Sequence, residues 1–188
     1  GSRPRRPDVP GAELAGVSDD FFAFHAPPGR VALVGGGYIA VELAGVLQAL
    51  GCQVDILARG ERLLSHSDAE LVERLQEDYR QQGIGLHLGR ELAAIEGGPG
   101  ALCIRDRNGG TIDGCAHVIL AIGRQANTAG IGLEAAGVEL DGDGNVVVDA
   151  FQRSSVPHIA AVGDVTGRAM LTPVAISAAR RAMDRVFG

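Results

Sequence analysis

No stretch of this sequence pairs two cysteines at short spacing. Cys52, Cys103 and Cys115 stand alone, without CxxC or CxxxxC, so neither a redox pair nor a zinc knuckle is written in the chain. Reduced thiols buried as small apolar groups are the expected state, and they favour a cytoplasmic address. Basic charge is also scarce: 17 Lys and Arg stand against 23 Asp and Glu, a formal net charge of −6. Without a cationic face to displace counterions, a nucleic acid is excluded as the default partner, and any anion site must be local. No apolar run reaches the roughly 18 residues of a membrane span, and FFAF at Phe21 to Phe24 is far too short for one. A secretory leader is not legible either, because Arg3, Arg5 and Arg6 run into prolines and acids. What remains is ordinary for a folded chain: 188 residues, 46% hydrophobic and 21% charged, enough for one large domain or two small ones.

Residues 1–29 are proline-rich and aperiodic, and they read as an extended connector ending in a turn at Pro27, Pro28 and Gly29. From Arg30 strands and helices alternate. Val31 to Val34 reads as a buried strand, Tyr38 to Leu50 as a helix and Gln53 to Leu57 as a second strand. In the helix Ile39, Leu43, Val46, Leu47 and Leu50 recur at helical spacing, with Gly51 as the stop. Ser67 to Glu70 has the spacing of a capping box and opens a second helix, whose expected inner face is Leu71, Leu75 and Tyr79 and whose end is Gly83. Short strands are expected near Ile84 to Leu88 and Leu102 to Asp106, then a hairpin turn at Asn108 to Gly110 and a buried strand at His117 to Gly123. Beyond Arg124, strands are expected at Val146 to Val148 and His158 to Asp164. Thr172 and Pro173 read as the cap and first residue of a helix running to Phe187.

The most informative stretch is Gly35-Gly36-Gly37-Tyr38-Ile39-Ala40, a GxGxxA arrangement between a strand and a helix inside a βαβ unit. Gly35 permits the tight turn, Gly37 lets backbone approach a pyrophosphate without a Cβ clash, and Ala40 lets helix and strand pack closely. Unbonded N–H groups and the positive end of the helix dipole then face the phosphates. A Rossmann-like α/β fold that binds a nicotinamide dinucleotide is the expectation. The strand end that selects the nucleotide carries Ala58 where NAD-binding folds place an acid, and Arg59 and Arg62 follow. Charge-assisted bonds from Arg59, helped by Arg62, favour NADPH. Asp55 and Glu61 are rival acids that leave NADH open.

These residues resemble the class I flavoprotein disulfide reductases, and among them the glutathione reductase branch. VGGGYIAVELAGVLQALG is similar to that branch's NADPH fingerprint. GSRPRRPDVPGAE resembles the strand leaving the flavin domain, LAIGRQANT the exit from the NADPH domain, and AAVGDVTGRAMLTPVAI the second flavin-contacting segment. The resemblance implies pyrophosphate contacts at Gly35, Gly36 and Gly37, with Tyr38, Ile39 and Glu42 beside the nicotinamide and Tyr38 as a lid over the flavin. It implies that Arg59 meets the 2′-phosphate, whereas Ser65 stands where the family has its second arginine. Ala121, Ile122 and Gly123 would pass beneath the bound NADPH. Asp164 would bind the flavin ribityl chain, Thr172 the pyrimidine edge and Met170 the carboxamide through its main chain. The helix from Pro173 would aim its positive end at the flavin.

The implied architecture is a connector at 1–29, an NAD(P)H-binding domain at 30–124 with a parallel sheet, helices and an antiparallel β-meander, and the second segment of a flavin domain at 125–188. The redox cysteine pair, a flavin fingerprint and a C-terminal His-Glu base are not in this sequence, and His25, His66, His87, His117 and His158 do not form that motif. The chain therefore reads as the central portion of a longer enzyme. There NADPH would reduce FAD, then a disulfide, then glutathione disulfide or a related small disulfide. The whole enzyme would be a homodimer, and the piece itself inactive and colourless. Dihydrolipoyl dehydrogenase and mercuric reductase are the alternatives within the family, and a non-catalytic dinucleotide sensor is the alternative outside it.

Overall fold

The computed structural model describes residues 1–188. Its strands in chain order are β1 (Ser2–Pro4), β2 (Gly16–Val17), β3 (Arg30–Val34), β4 (Gln53–Leu57), β5 (Gly85–His87), β6 (Leu92–Gly98), β7 (Ala101–Asp106), β8 (Thr111–Cys115), β9 (His117–Leu120) and β10 (Arg124–Ala126). Three α-helices accompany them: α1 (Tyr38–Ala49), α2 (Ala69–Gln81) and α3 (Thr172–Phe187). The chain divides into two compact units, one of residues 4–123 and one of residues 1–3 with 124–188. The fold is mixed α/β, with a parallel sheet and an antiparallel one.

The unit of residues 4–123 is built on a five-stranded sheet in the order β2-β9-β3-β4-β5, every resolved pairing parallel. Alternation splits the sheet into two buried faces. Val31, Leu33, Val54 and Ile56 join Leu43, Leu47 and Tyr79 of the helices in one core, while Ala32, Val34 and Leu57 join Ile95, Leu102, Ile104 and Ile112 in the other. The second core lies against a meander of order β6-β7-β8. Both helices of this unit end as the glycines suggest: Gly51 N–H bonds Gln48 O and Cys52 N–H bonds Leu47 O, with φ of 85° at Gly51. That is a Schellman ending, which places a residue in the left-handed region where glycine has no Cβ penalty.

The structure revises several local expectations. Residues 4–29 are more than a connector: β2 extends the sheet beside β9, Ala12 and Ala15 are buried, and Phe21 and Phe24 pack on the core. The cap of α2 is Asp68, whose carboxylate accepts the Glu70 and Leu71 N–H groups, and Ser67 does not cap. The buried face also differs: Val72, Gln76 and Tyr79 are buried while Leu71 is 72% exposed, since the face is chosen by what packs on it, here the core under the sheet and the Leu63 N–H that Gln76 accepts. On α1 the buried stripe is Ala40, Val41, Leu43, Ala44 and Leu47, leaving Val46 and Leu50 exposed. Within that stripe Ala40 and Ala44, both at zero exposure, are the small residues that let the helix lie close on the strands.

In the unit of residues 1–3 and 124–188, β1 and β10 pair, and a small core gathers Val138, Val146 and Val148 with partly buried Leu133, Val156, Ile159 and Val165. The strands expected at 146–148 and 158–164 are absent; only isolated bridges, Leu140 to Val146 and Arg153 to Ala160, appear there. No continuous ladder forms, so the apolar run of 158–164 is only partly covered. A 3-10 turn at Gly163–Thr166 follows. Thr172 is the first residue of α3 rather than its cap. Leu171 precedes it without a side-chain cap bond, and Ala182 is the one buried residue of the helix.

Candidate nucleotide site

The sheet order places a crevice at the carboxyl ends of β3 and β9. From β3 the chain crosses through α1 to β4 on one side, while β9 flanks β3 on the other. Such a reversal of direction is where open parallel sheets bind ligands. Ala121 N–H bonds Val34 O at 2.7 Å just beyond the paired strands, so Gly35 and Ala121 meet there. Gly35 has φ of 136°, and a Cβ on it would lie 2.2 Å from Ala121 O. Nothing but glycine fits. Its N–H donates to Leu57 O at 2.9 Å, which fixes the turn to β4 as well.

Gly36 is tight for a milder reason, since a Cβ there would come within 3.2 Å of the Ala58 methyl. Gly37 is different. It has ordinary extended backbone, φ of −85° and ψ of 178°, and a Cβ on it would meet no atom within 4 Å. The chain's own packing does not require glycine at this position. The first bond of α1 runs from Val41 N–H to Gly37 O at 3.1 Å, so the amides before Val41 have no intrahelical acceptor. No side chain caps them.

Of the site residues named from sequence, Gly35, Gly36 and Ala121 are in direct contact range of the turn and its neighbours. Tyr38, Ile39 and Glu42 lie on the first turns of α1, Tyr38 at 45% exposure and Glu42 exposed. The Glu42 carboxylate adds to the burial that pushes the Tyr79 phenol up, and that phenol donates to Val41 O at 2.7 Å. Ile122 is exposed beyond β9, and Gly123, with φ of 120°, accepts the Arg5 N–H at 2.9 Å.

The loop after β4 separates the two arginines. Arg59 is exposed, whereas Arg62 Nη2 donates to Ser65 O at 2.7 Å and Ser67 O at 3.3 Å. Leu64 N–H reaches Gly36 O at 2.7 Å, and Leu63 N–H reaches the buried Gln76 Oε1 at 2.8 Å. Gln76 was not legible as a site residue: a polar side chain on an inner helix face carries no sequence signal until its partner is known. Of the rival acids, Asp55 is spent in the sheet, accepting from Arg30 Nη2 at 2.9 Å and lying 2.9 Å from His87 Nε2. Glu61 stays exposed.

In the other unit, Asp164 Oδ2 accepts the Ser2 hydroxyl at 2.6 Å, and that hydroxyl in turn accepts Arg124 Nε at 2.7 Å. Met170 is half-buried and Thr172 exposed at the start of α3. The three cysteines are free, and the Cys103 thiol is pushed up to about 11, first by its hydrogen bond to Asp113 and then by burial. It stays protonated at neutral pH and is no nucleophile there. No helix of the structure is long and apolar enough to cross a membrane.

Comparison with known proteins agrees with this architecture. A family model described as pyridine nucleotide-disulphide oxidoreductase matches residues 1–179. Glutathione reductase of Burkholderia cepacia is 45% identical over 188 residues, which are 100% of this chain and 42% of that protein. Glutathione reductase of Schizosaccharomyces pombe is 41% identical over 182 residues, 96% of this chain and 39% of that protein. Among solved structures, the HOCl-induced flavoprotein disulfide reductase RclA from Escherichia coli superposes with a TM-score of 0.92 at 27% identity, over 100% of this chain and 43% of that one. LpdA from Mycobacterium tuberculosis does so with a TM-score of 0.89 at 28% identity, over 100% and 41%. The chain thus spans about two fifths of the length of the curated relatives it matches. With the glycine turn at the sheet's reversal point and a family match over nearly all of its residues, the chain belongs to the pyridine nucleotide-disulphide oxidoreductases.

Proposed function

We propose that this chain is the nicotinamide-dinucleotide platform of a glutathione reductase-like flavoprotein, with NADPH as the preferred dinucleotide. The observation that carries the reading is Gly37: a glycine that the protein's own packing does not need, at an uncapped helix start, in the crevice between β3 and β9. A pyrophosphate fits that space, because amides and the helix dipole face it and no Cβ obstructs it. Gly35, Gly36 and Gly37 would hold the pyrophosphate, and Arg59 the 2′-phosphate. Tyr38, Ile39 and Glu42 would flank the nicotinamide, with Ala121, Ile122 and Gly123 beneath it.

NADPH supplies a hydride when bound; the chain's residues bind and orient it. In the second unit Asp164 has one carboxylate oxygen held by Ser2, an arrangement suited to accepting a ribityl hydroxyl on the other. The uncapped start of α3, with Thr172 and Pro173, suits the electron-rich edge of a flavin ring, with Met170 near the carboxamide. In the whole enzyme these parts would serve electron flow from NADPH through FAD to a disulfide, and on to glutathione disulfide. NADPH turnover by the full-length enzyme with glutathione disulfide, against a lipoamide control, tests the substrate.

The binding claim is tested on the chain itself. Gly37→Ala should leave the urea midpoint within error, since the methyl meets nothing. It should weaken NADPH in calorimetry by about tenfold or more. Equal NADPH affinity for wild type and variant would remove the basis of the proposal.

A further inference from the structure

By sequence Arg59 has the first claim on a 2′-phosphate and Arg62 is its helper, and in the structure their surroundings differ. Arg59 is exposed and makes no hydrogen bond or ion pair. The Arg62 guanidinium is committed to the carbonyls of Ser65 and Ser67, at 2.7 and 3.3 Å. Between Arg62 and Ser65 lies Leu64, with φ of 45°, in the left-handed region that a leucine does not choose by itself. Such backbone persists only where its surroundings over-determine it, and here they do. Leu64 N–H is tied to Gly36 O in the glycine turn, and Leu63 N–H to Gln76 of α2. Turning Arg62 outward to a ligand would exchange these two surface bonds for hydration of the carbonyls and untie the loop from its own guanidinium, an ordering cost set against what a phosphate contact would gain.

We infer that Arg62 is a positioning residue: it closes the loop on itself, holds the left-handed kink at Leu64 against Gly36, and leaves Arg59 as the one guanidinium of the two that meets a 2′-phosphate. The inference rests on the dinucleotide reading above and narrows it to adenosine-side selection by a single cation on a preshaped loop. Loop shape and pyrophosphate turn are coupled through the Leu64 to Gly36 bond, so Arg62 affects NADPH and NADH alike.

Amide hydrogen exchange on the ligand-free chain, with calorimetry using NADPH and NADH, tests this on wild type, Arg59→Ala, Arg62→Ala and Arg62→Lys. The Leu64 amide should exchange about tenfold faster in Arg62→Ala than in wild type. Protection should return in Arg62→Lys, whose ammonium can also donate to two carbonyls. Arg62→Ala should weaken both dinucleotides by a common factor on the order of five, while Arg59→Ala should weaken NADPH about tenfold and NADH less than about twofold. An Arg62→Ala variant that loses NADPH alone would make Arg62 a phosphate ligand and overturn the inference. So would a Leu64 amide whose exchange ignores Arg62. If the wild-type chain bound neither dinucleotide while Leu64 protection still depended on Arg62, the positioning role would stand and the dinucleotide reading would fall.

Discussion

The strand run Val31–Val34 and the run His158–Asp164 look alike on paper, each a short apolar stretch closed by glycine or Gly-Asp. In the structure they part company. The first is a central strand, paired on both sides by β4 and β9 and covered on both faces, with Val31, Ala32 and Leu33 at zero exposure. The second forms a single bridge and is only partly buried. The same contrast holds between α1, which buries Ala40, Val41, Leu43, Ala44 and Leu47, and α3, which buries Ala182 and exposes Val174, Ile176, Val186 and Phe187. An apolar pattern states what a segment can bury. Whether it does depends on a partner surface, and within this chain the 4–123 unit supplies one where the 124–188 segment supplies little.

The contrast can be broken by substitution. Gly35→Ala should have the largest effect, about 4 kcal/mol lost, since the new methyl collides with Ala121 O and the backbone is left-handed. A urea midpoint near wild type would show that the junction of β3 and β9 is soft. Leu33→Ala should cost about 3 kcal/mol, for lost burial and a cavity in a site with zero exposure. A pH-dependent contribution comes from Asp106 at the β7 to β8 turn, whose carboxylate is held below its ordinary range by the Gly110 N–H, then by Asn108 N–H and Arg90. Its support for folding is full at neutral pH, starts to fade below the unfolded carboxylate value and is gone once pH passes the lowered one. Asp106→Asn should therefore flatten the acid limb of stability against pH, and an unchanged limb would dismiss the turn as its source. Ile176→Ala on α3, at 46% exposure, should shift stability by less than about 0.5 kcal/mol. A loss comparable with that of Leu33→Ala would erase the distinction between the two regions.

The candidate site divides the same way. Glycine, helix start and strand were legible in Gly35 to Ala40 because their spacing is a local property of the backbone. The β-meander strand β6 carries two glycines and β8 one, which weakens their strand signal, and each pairs in register only with β7. The arginines were legible only in part: the sequence put Arg59 first for a 2′-phosphate with Arg62 as its helper, and only the fold brings the Arg62 guanidinium onto Ser65 and Ser67.

By itself the sequence determined the βαβ unit, the position of its glycine turn, the helix ends at Gly51 and Gly83, and the family resemblance that the comparisons support. These follow from short-range sterics and periodicity, which act within a few residues of chain. The tertiary structure alone decided that Asp68 caps α2, that residues 4–29 lend the sheet a strand, that Gly35 is pressed on Ala121, and that Arg62 bonds the Ser65 and Ser67 carbonyls. Each of these depends on which groups meet across the fold, because a hydrogen bond or a buried face has its energy only when its partner arrives.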